Sequence, residues 1–250
     1  MPIPPNIIAN ADDLGLNQSV NRSILHCFEQ GYINSTSLLT NTVYFEETVN
    51  MIHENPSMHN IGVHVNLAEF KPVTNFDQHF FLDENGNWDF GKVNKKLKFI
   101  DKQARDAFSK EIFAQVDKAL ANHITITHLD SHCHIHTLPF FFNLFVKAAK
   151  HYKLKLRLAQ TYYEGSSVNF LYRQFINNLV KLNGNNYSDL VETMDYFLKN
   201  GKNTPINKSI EIVLHPDFDS SGRLTDHYDN MSVKEWIEYF TNYHQLGDHR

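Results

Sequence analysis

The sequence is short of cysteine, of long hydrophobic runs and of positive charge, and each shortage excludes a class of protein. Its 250 residues contain two cysteines, Cys27 and Cys133, too few for the disulfide framework of a small secreted domain. The apolar runs fall far short of the roughly 20 residues that cross a bilayer, so we expect no membrane segment. A formal net charge of −5 without a Lys/Arg cluster argues against a nucleic-acid or anionic-membrane partner.

The amino-terminal stretch MPIPPNIIANADD lacks the charged-then-apolar order of a secretory signal. Together with the low cysteine count, this predicts a cytoplasmic protein. A chain of 250 residues, 42% of them hydrophobic, can bury one substantial core. Because neither a repeat nor a low-complexity linker divides the sequence, we expect a single domain over residues 1–250.

Hydrophobic periodicity predicts strands that alternate with helices along most of the chain. The predicted strands are residues 6–10, 33–40, 61–67, 128–136, 154–159 and 209–214, and the predicted helices are residues 19–30, 44–54, 101–122, 139–152, 168–182 and 188–199. This alternation is typical of an α/β protein with a mostly parallel sheet, as in closed or nearly closed, TIM-like β/α barrels.

Residues 68–100 interrupt the alternation with an aromatic, turn-rich segment that we interpret as an inserted loop. Three interpretations of its Phe and Trp residues stay open. They pack against the body of the protein, form a lid or sugar-stacking surface, or build the subunit contact of a homodimer.

The stretch HLDSHCHIH, residues 128–136, has an acid or a histidine at every second position. In an extended chain the side chains alternate, so His128, Asp130, His132, His134 and His136 would share one face, and Cys133 would point away. Neighbours on one face lie roughly 6.6 Å apart, whereas metal–imidazole bonds measure about 2 Å. Two of these histidines can therefore straddle one ion, and further ligands must come from other segments.

Those further ligands are available at the carboxyl ends of other predicted strands, where Asp12, Asp13, His64 and His215 lie. The carboxyl ends of barrel strands converge on one face, which carries the active site. One carboxylate with two imidazoles suits Zn²⁺ or Mg²⁺, with Mn²⁺ and Co²⁺ as alternatives. Since Asp12 and Asp13 are adjacent, we expect them to point in different directions, one toward a cation and one free to take a proton. The pattern predicts hydrolysis by metal-activated water, without a covalent intermediate.

Five segments resemble the YdjC/ChbG family of carbohydrate deacetylases, in the same order: NADDLGLNQSVNRSIL, GYINSTSLLTN, IGVHVNL, THLDSHCHIHTLP and EIVLHP. The resemblance implies a distorted β/α barrel that removes N-acetyl groups from a chitooligosaccharide-like or related sugar. It also implies roles for individual residues. Asp13, His64 and His132 would hold one divalent metal ion, Asp12 would be the general base, and His215 would protonate the departing amine.

Three further residues are candidates for the same site. Arg157 matches an arginine that follows the fifth strand in similar sequences, where it would orient Asp12 or bind substrate. Asp130 is expected to accept the second N–H of a metal-binding imidazole. His134 would lie behind the ligands or contact the substrate.

Two other functions stay open at this point. One is another metal-dependent amidase or a phosphoesterase on the same scaffold, because ligands indicate the reaction class better than the substrate. The other is a barrel that binds a metal or a sugar without turnover. The presence of both Asp12 and His215 favours catalysis, because neither is needed merely to hold a metal.

Overall fold

Seven parallel strands form the main sheet of the computed structural model, which describes residues 3–94, 101–200, 207–228 and 233–238. The strands are β1 Ile7–Leu14, β2 Ser35–Leu38, β3 Ile61–Val65, β4 Ile126–Ser131, β5 Lys155–Leu156, β6 Leu190–Thr193 and β7 Ile210–Leu214. Their order in the sheet is β5-β4-β3-β2-β1-β7-β6. A short antiparallel hairpin, β8 Pro216–Phe218 and β9 Leu224–Asp226, follows β7.

Helices connect most of these strands. They are α1 Gln18–Glu29, α2 Phe45–Glu54, α3 Phe90–Val93, α4 Lys102–Ala121, α5 Pro139–Tyr152, α6 Ser167–Leu182 and α7 Met194–Asn200. Short polar side chains begin four of them, since Asn17, Asp89, Asp101 and Ser166 each accept a hydrogen bond from a first-turn N–H of α1, α3, α4 and α6. Across the described ranges, we find no helix with the length and apolarity that a bilayer crossing requires.

One ion pair shows that the sheet is curled. Arg157 follows β5 and Glu211 lies in β7, yet Arg157 Nε and Glu211 Oε1 are 2.6 Å apart. In a flat sheet, five strand spacings would separate these strands by about 24 Å. The segment before β6 also meets β5, because the Leu156 amide donates to Asn185 and the Leu156 carbonyl accepts from Tyr187. The predicted fold class, a distorted β/α barrel, is confirmed.

Several predicted elements differ in extent from the structure, and for two of them the difference changes the interpretation. The strand predicted over residues 128–136 ends at Ser131, and a 3₁₀ helix, His132–Thr137, follows it. The side-chain alternation therefore stops at Ser131. The helix predicted over residues 188–199 begins as strand β6, which pairs with β7, so the sheet has seven strands rather than six. Pairing with a distant strand outweighs local helical spacing in this segment.

The inserted segment packs its aromatic rings against the body of the barrel. Phe76, Phe81 and Trp88 are all buried, and their ring centroids lie 4.9 to 5.8 Å from that of Phe108 in α4. The structure thus agrees with the packing interpretation. These three rings face the body of the protein rather than solvent, whereas Phe80 is exposed. Residues 95–100 of the predicted loop lie outside the described residues.

Candidate functional site

A bulge in β1 turns two adjacent carboxylates toward one histidine. The pairing of β1 with β2 shifts register between Ala11 and Leu14, and Asp13 has a left-handed φ of 69°. A bulge of this kind re-aims a side chain that regular alternation would send to the other face. His64 Nε2 consequently lies 3.8 Å from Asp12 Oδ2 and 3.4 Å from Asp13 Oδ1. Beyond the shared His64, the two carboxylates have different partners, since Asp12 binds Arg157 and Asp13 binds His132.

Asp13, His64 and His132 form a buried group that could hold a metal ion. One ligand atom from each lies within 4.8 Å of the others. His132 Nδ1 is 2.8 Å from Asp13 Oδ1, and Asp13 Oδ2 is buried without a hydrogen-bond partner among the described residues. An incompletely bonded carboxylate beside two imidazoles is a donor set that suits one divalent cation. The structure thus brings together the three residues that the sequence proposed as ligands.

Asp130 lies behind this group, as expected from its position in β4. Its Oδ1 is 2.8 Å from His64 Nδ1, so His64 can donate its Nδ1 proton there and keep Nε2 directed at Asp13. Its Oδ2 accepts a hydrogen bond of 2.7 Å from Ser37 Oγ. A second possible metal group comprises Asp12, His64 and Asp130. Arg157 already binds both of its carboxylates, which leaves the first group better suited to a cation.

Arg157 is buried and holds Asp12 with both ends of its guanidinium. Arg157 Nη1 donates to Asp12 Oδ2 at 2.7 Å, and Nη2 donates to Asp12 Oδ1 at 2.6 Å. Its Nη2 and Nε also bind Asp130 Oδ2 and Glu211 Oε1, each at 2.6 Å. A guanidinium surrounded by three carboxylates has little left to offer a substrate. The geometry favours the orienting role over the substrate-binding one.

The buried charges of the site shift the pKa values of Asp12 and Asp13 downward. Burial by itself would raise the pKa of Asp12, but the Arg157 and His64 charges lower it below the ordinary value. Burial would likewise raise the pKa of Asp13, yet hydrogen bonds from His132 and His64 hold it well below its usual range. Both carboxylates are therefore ionised at neutral pH.

The same charges raise the pKa values of the two imidazoles. Burial lowers the pKa of His64, but the carboxylates of Asp130 and Asp12 outweigh burial and raise it to about 10. His132 has its pKa raised in the same way, chiefly by its hydrogen bond to Asp13. Without a cation, two imidazolium charges thus balance the carboxylates. A divalent cation carries the same charge and could replace the two protons.

His215 reaches the site from the end of β7. Its Nε2 lies 4.0 Å from Asp12 Oδ2, and its Nδ1 lies 3.6 Å from Asp226 Oδ1. Burial lowers the pKa of His215, but Asp226 and Asp12 together raise it above the ordinary value. The β8–β9 hairpin returns the chain to this point, where the His215 amide donates to Asp226 Oδ2 at 2.7 Å.

The hairpin adds residues that the sequence did not indicate. His227 Nε2 lies 3.7 Å from Asp13 Oδ2, and the ring centroid of Tyr228 lies 4.4 Å from that of His215. Glu69, after β3, approaches His132 Nε2 at 3.5 Å. His227 and Tyr228 follow a very short strand without hydrophobic periodicity, and Glu69 follows β3 as a single acid, so the paired histidine and tyrosine at 227–228 was the one available signal.

The turn after β4 determines where Cys133 and the remaining two histidines lie. Cys133 and His134 both adopt left-handed backbone conformations, with φ of 54° and 53°. Cys133 is exposed, yet its thiol lies close enough to the His132 imidazole to form a hydrogen bond, so the expectation that it points away from the site is wrong; it assumed a strand that in fact ends at Ser131. Burial, with the nearby Arg157 charge, lowers the pKa of His134 to about 4, so its partly buried ring is neutral beside the site. His136 binds Ser131 Oγ at 2.7 Å instead of joining the ligands.

Comparisons of the sequence with known proteins point to one family. The chain matches the model of the YdjC-like protein family over residues 6–248. It is 29% identical over 213 residues to a carbohydrate deacetylase of Vibrio parahaemolyticus serotype O3:K6, covering 85% of this chain and 78% of that protein. It is 27% identical over 241 residues to a carbohydrate deacetylase of Clostridium beijerinckii, covering 94% of this chain and 91% of the relative.

Among solved structures, a candidate cellobiose-phosphate cleavage protein from Enterococcus faecalis V583 is similar in fold. The TM-score is 0.68 at 22% identity, over 86% of this chain and 82% of that chain. This likeness supports the barrel architecture and carries no information about substrate. The family model, by contrast, spans nearly the whole sequence, and the chain therefore belongs to the YdjC-like protein family.

Proposed function

We propose that the protein is a metal-dependent deacetylase that removes N-acetyl groups from a chitooligosaccharide-like or related N-acetylated sugar. The observation that carries the proposal is the buried Asp13, His64 and His132 group with Asp12 and His215 beside it. Two relatives named carbohydrate deacetylase, aligned over most of their length, support the substrate class. In this proposal residues 1–250 form one catalytic domain that acts in the cytoplasm.

Asp13, His64 and His132 would together hold one divalent cation, Mg²⁺ or Zn²⁺ in the first place, with Mn²⁺ or Co²⁺ as alternatives. Such a cation, when bound, supplies a lowered pKa for the attacking water and stabilises negative charge that develops on the acetyl oxygen. A carboxylate with a free oxygen and two imidazoles fits this requirement.

Asp12 would accept the proton of the attacking water. Both of its oxygens are held by Arg157, and Oδ2 is the one that faces His64 and His215. As the water oxygen bonds to the acetyl carbon, its proton moves to Asp12 Oδ2. Arg157 keeps this carboxylate ionised before the reaction and fixed in direction.

His215 would complete the reaction by protonating the sugar nitrogen through Nε2. This proton transfer lets the carbon–nitrogen bond break, so that acetate and a free amine are released. The separation of 4.0 Å between His215 Nε2 and Asp12 Oδ2 lets donor and acceptor face one reacting amide. Asp226 near Nδ1 favours the protonated imidazole that this step requires.

The test measures acetate release from free and phosphorylated N-acetylglucosamine oligomers. Metal-stripped protein is resupplied with Zn²⁺, Mg²⁺, Mn²⁺ or Co²⁺, and Asp13→Ala is assayed alongside. We expect one or more metals to restore release in the wild type and none to restore it in the variant. Phosphate release without acetate would favour a phosphoesterase. Stoichiometric metal binding without release of either product would favour a non-catalytic barrel.

A further inference from the structure

One buried carboxylate has no part in the chemistry above. Glu211 lies in β7 with a fully buried side chain, and its Oε1 accepts a hydrogen bond of 2.6 Å from Arg157 Nε. Its other oxygen, Oε2, has no hydrogen-bond partner among the described residues. Within the described chain, this carboxylate thus directs its hydrogen bonding to a single group, the Arg157 guanidinium.

Charge neutralisation does not account for this contact. Arg157 already binds Asp12 and Asp130 at 2.6 Å, so two carboxylates oppose one positive charge before Glu211 is counted. A third buried carboxylate is unfavourable, and burial accordingly raises the pKa of Glu211 to about 7 despite the adjacent guanidinium. What Glu211 contributes is a hydrogen-bond acceptor at a fixed position.

The position of that acceptor matters because a guanidinium is planar and binds along two edges. The Nη1 and Nη2 edge holds both oxygens of Asp12, whereas the adjacent Nε side faces Glu211. Arg157 reaches these partners from the end of β5, a two-residue edge strand, and Glu211 comes from β7 across the barrel. Contacts on both edges prevent the guanidinium from rotating in its plane and taking Asp12 with it.

We propose that Glu211 is a positioning residue that fixes the Arg157 guanidinium, and through it the direction of Asp12 Oδ2. The inference rests on the proposed function, in which Asp12 is the general base. Since Glu211 has no described hydrogen bond to Asp13, His64 or His132, its replacement should leave metal binding unchanged.

Two substitutions distinguish the effect of the acceptor's position at residue 211 from the effect of its charge. Glu211→Gln removes the charge but keeps a carbonyl oxygen at the same reach, whereas Glu211→Asp keeps the charge and withdraws the acceptor by one methylene. We expect Glu211→Gln to retain kcat within about threefold and Glu211→Asp to lose roughly 10- to 100-fold in kcat, since a displacement near 1 Å can have an effect of that size. KM and metal affinity should stay within about twofold in both variants.

Glu192→Gln and Glu192→Asp provide the matched control. Glu192 is a buried carboxylate in neighbouring β6, and it has no described contact with Arg157. Both control variants should keep wild-type kcat. Wild-type kcat in both Glu211 variants would overturn the proposal, and so would the reverse order, with the Asp variant active and the Gln variant inactive.

A measurement without substrate keeps the test independent of the reaction. In metal-loaded protein, the Arg157 Nε–H signal in ¹⁵N NMR should exchange slowly with solvent in the wild type and in Glu211→Gln, and faster in Glu211→Asp. Equal exchange in all three proteins would overturn the inference. If the wild type releases no acetate, the proposed function fails, and the exchange rates still decide whether Glu211 fixes the guanidinium.

Discussion

In the proposed reaction Asp12 is the general base, and a metal-binding barrel without turnover would not need it in that role. In Asp12→Asn the amide can still receive hydrogen bonds from Arg157, but it cannot take a proton. We expect kcat to fall roughly 10²- to 10⁴-fold, the usual contribution of a general base, while the metal dissociation constant stays within a few-fold. Steady-state acetate release and metal titration measure the two effects. Wild-type turnover in this variant would show that Asp12 is not the base.

His215 sets the alkaline limit of the proposed reaction. Its pKa is raised, chiefly because Asp226 and Asp12 outweigh the effect of burial, so the acid form persists to a higher pH than for an ordinary histidine. Activity that needs this proton is present below the raised pKa and is lost as pH rises through it. Asp226→Asn removes one of the charges that hold the proton. We therefore expect the alkaline limb of the kcat profile to move to lower pH.

The acid limb provides the internal control for that variant. In the proposed reaction the ionisation of Asp12 governs the acid side, and Arg157 holds both oxygens of that carboxylate, so this limb should keep its position. An unchanged alkaline limb in Asp226→Asn would show that another group donates the proton.

At the scale of elements, the sequence predicted which apolar runs lead into the site better than where each strand ends and which turn follows it. His64 and His215 come directly at the end of apolar runs, and this pattern is visible in the sequence alone. The bulge that re-aims Asp13 and the left-handed turn at His134 depend on pairing with other strands, which periodicity does not contain. Glu211 was missed because a single acid inside an apolar strand gives no signal of its partner across the barrel.

Strand β3 illustrates how closely the barrel interior is filled. A Cβ atom on Gly62 would lie 2.3 Å from His128 Nε2. His128 cannot easily move, because it stacks on Tyr187 with ring centroids 4.0 Å apart and contacts Ser37 Oγ. We expect Gly62→Ala to lower the free energy of unfolding by about 1 to 3 kcal/mol through this overlap.

Denaturant unfolding of Gly62→Ala measures that loss, with Gly91→Ala as the control. The nearest atom to a Cβ at Gly91 is Asp89 Oδ1 at 3.3 Å, a contact that a shift of a few tenths of an ångström relieves. A Gly62→Ala protein as stable as the control would show that His128 has room to shift.

For the whole molecule, the balance of buried charge couples folding to metal binding. The barrel collects Asp12, Asp13 and Asp130 at one end, and in the metal-free protein His64 and His132 share in neutralising them as imidazolium ions. The convergence of strand ends was predictable from the alternation of strands and helices. The amount of charge gathered there was not, because Arg157 and Glu211 reach the site only after the sheet curls.

The effect of a cation on stability should therefore depend on pH. The pKa of His64 is raised from 6.5 to about 10 in the folded, metal-free protein, so the stability contributed by its proton is complete below about 6.5 and is lost as pH rises toward 10. A cation needs both imidazoles neutral, so its affinity increases over the same range. At one hundred times the dissociation constant, a bound cation adds about 2.7 kcal/mol to the free energy of unfolding.

We expect the Tm difference between metal-loaded and chelator-treated protein to widen from pH 6 to pH 9 at a fixed metal concentration, and to vanish in Asp13→Ala. A difference that stays constant with pH would show that the cation does not displace these two protons.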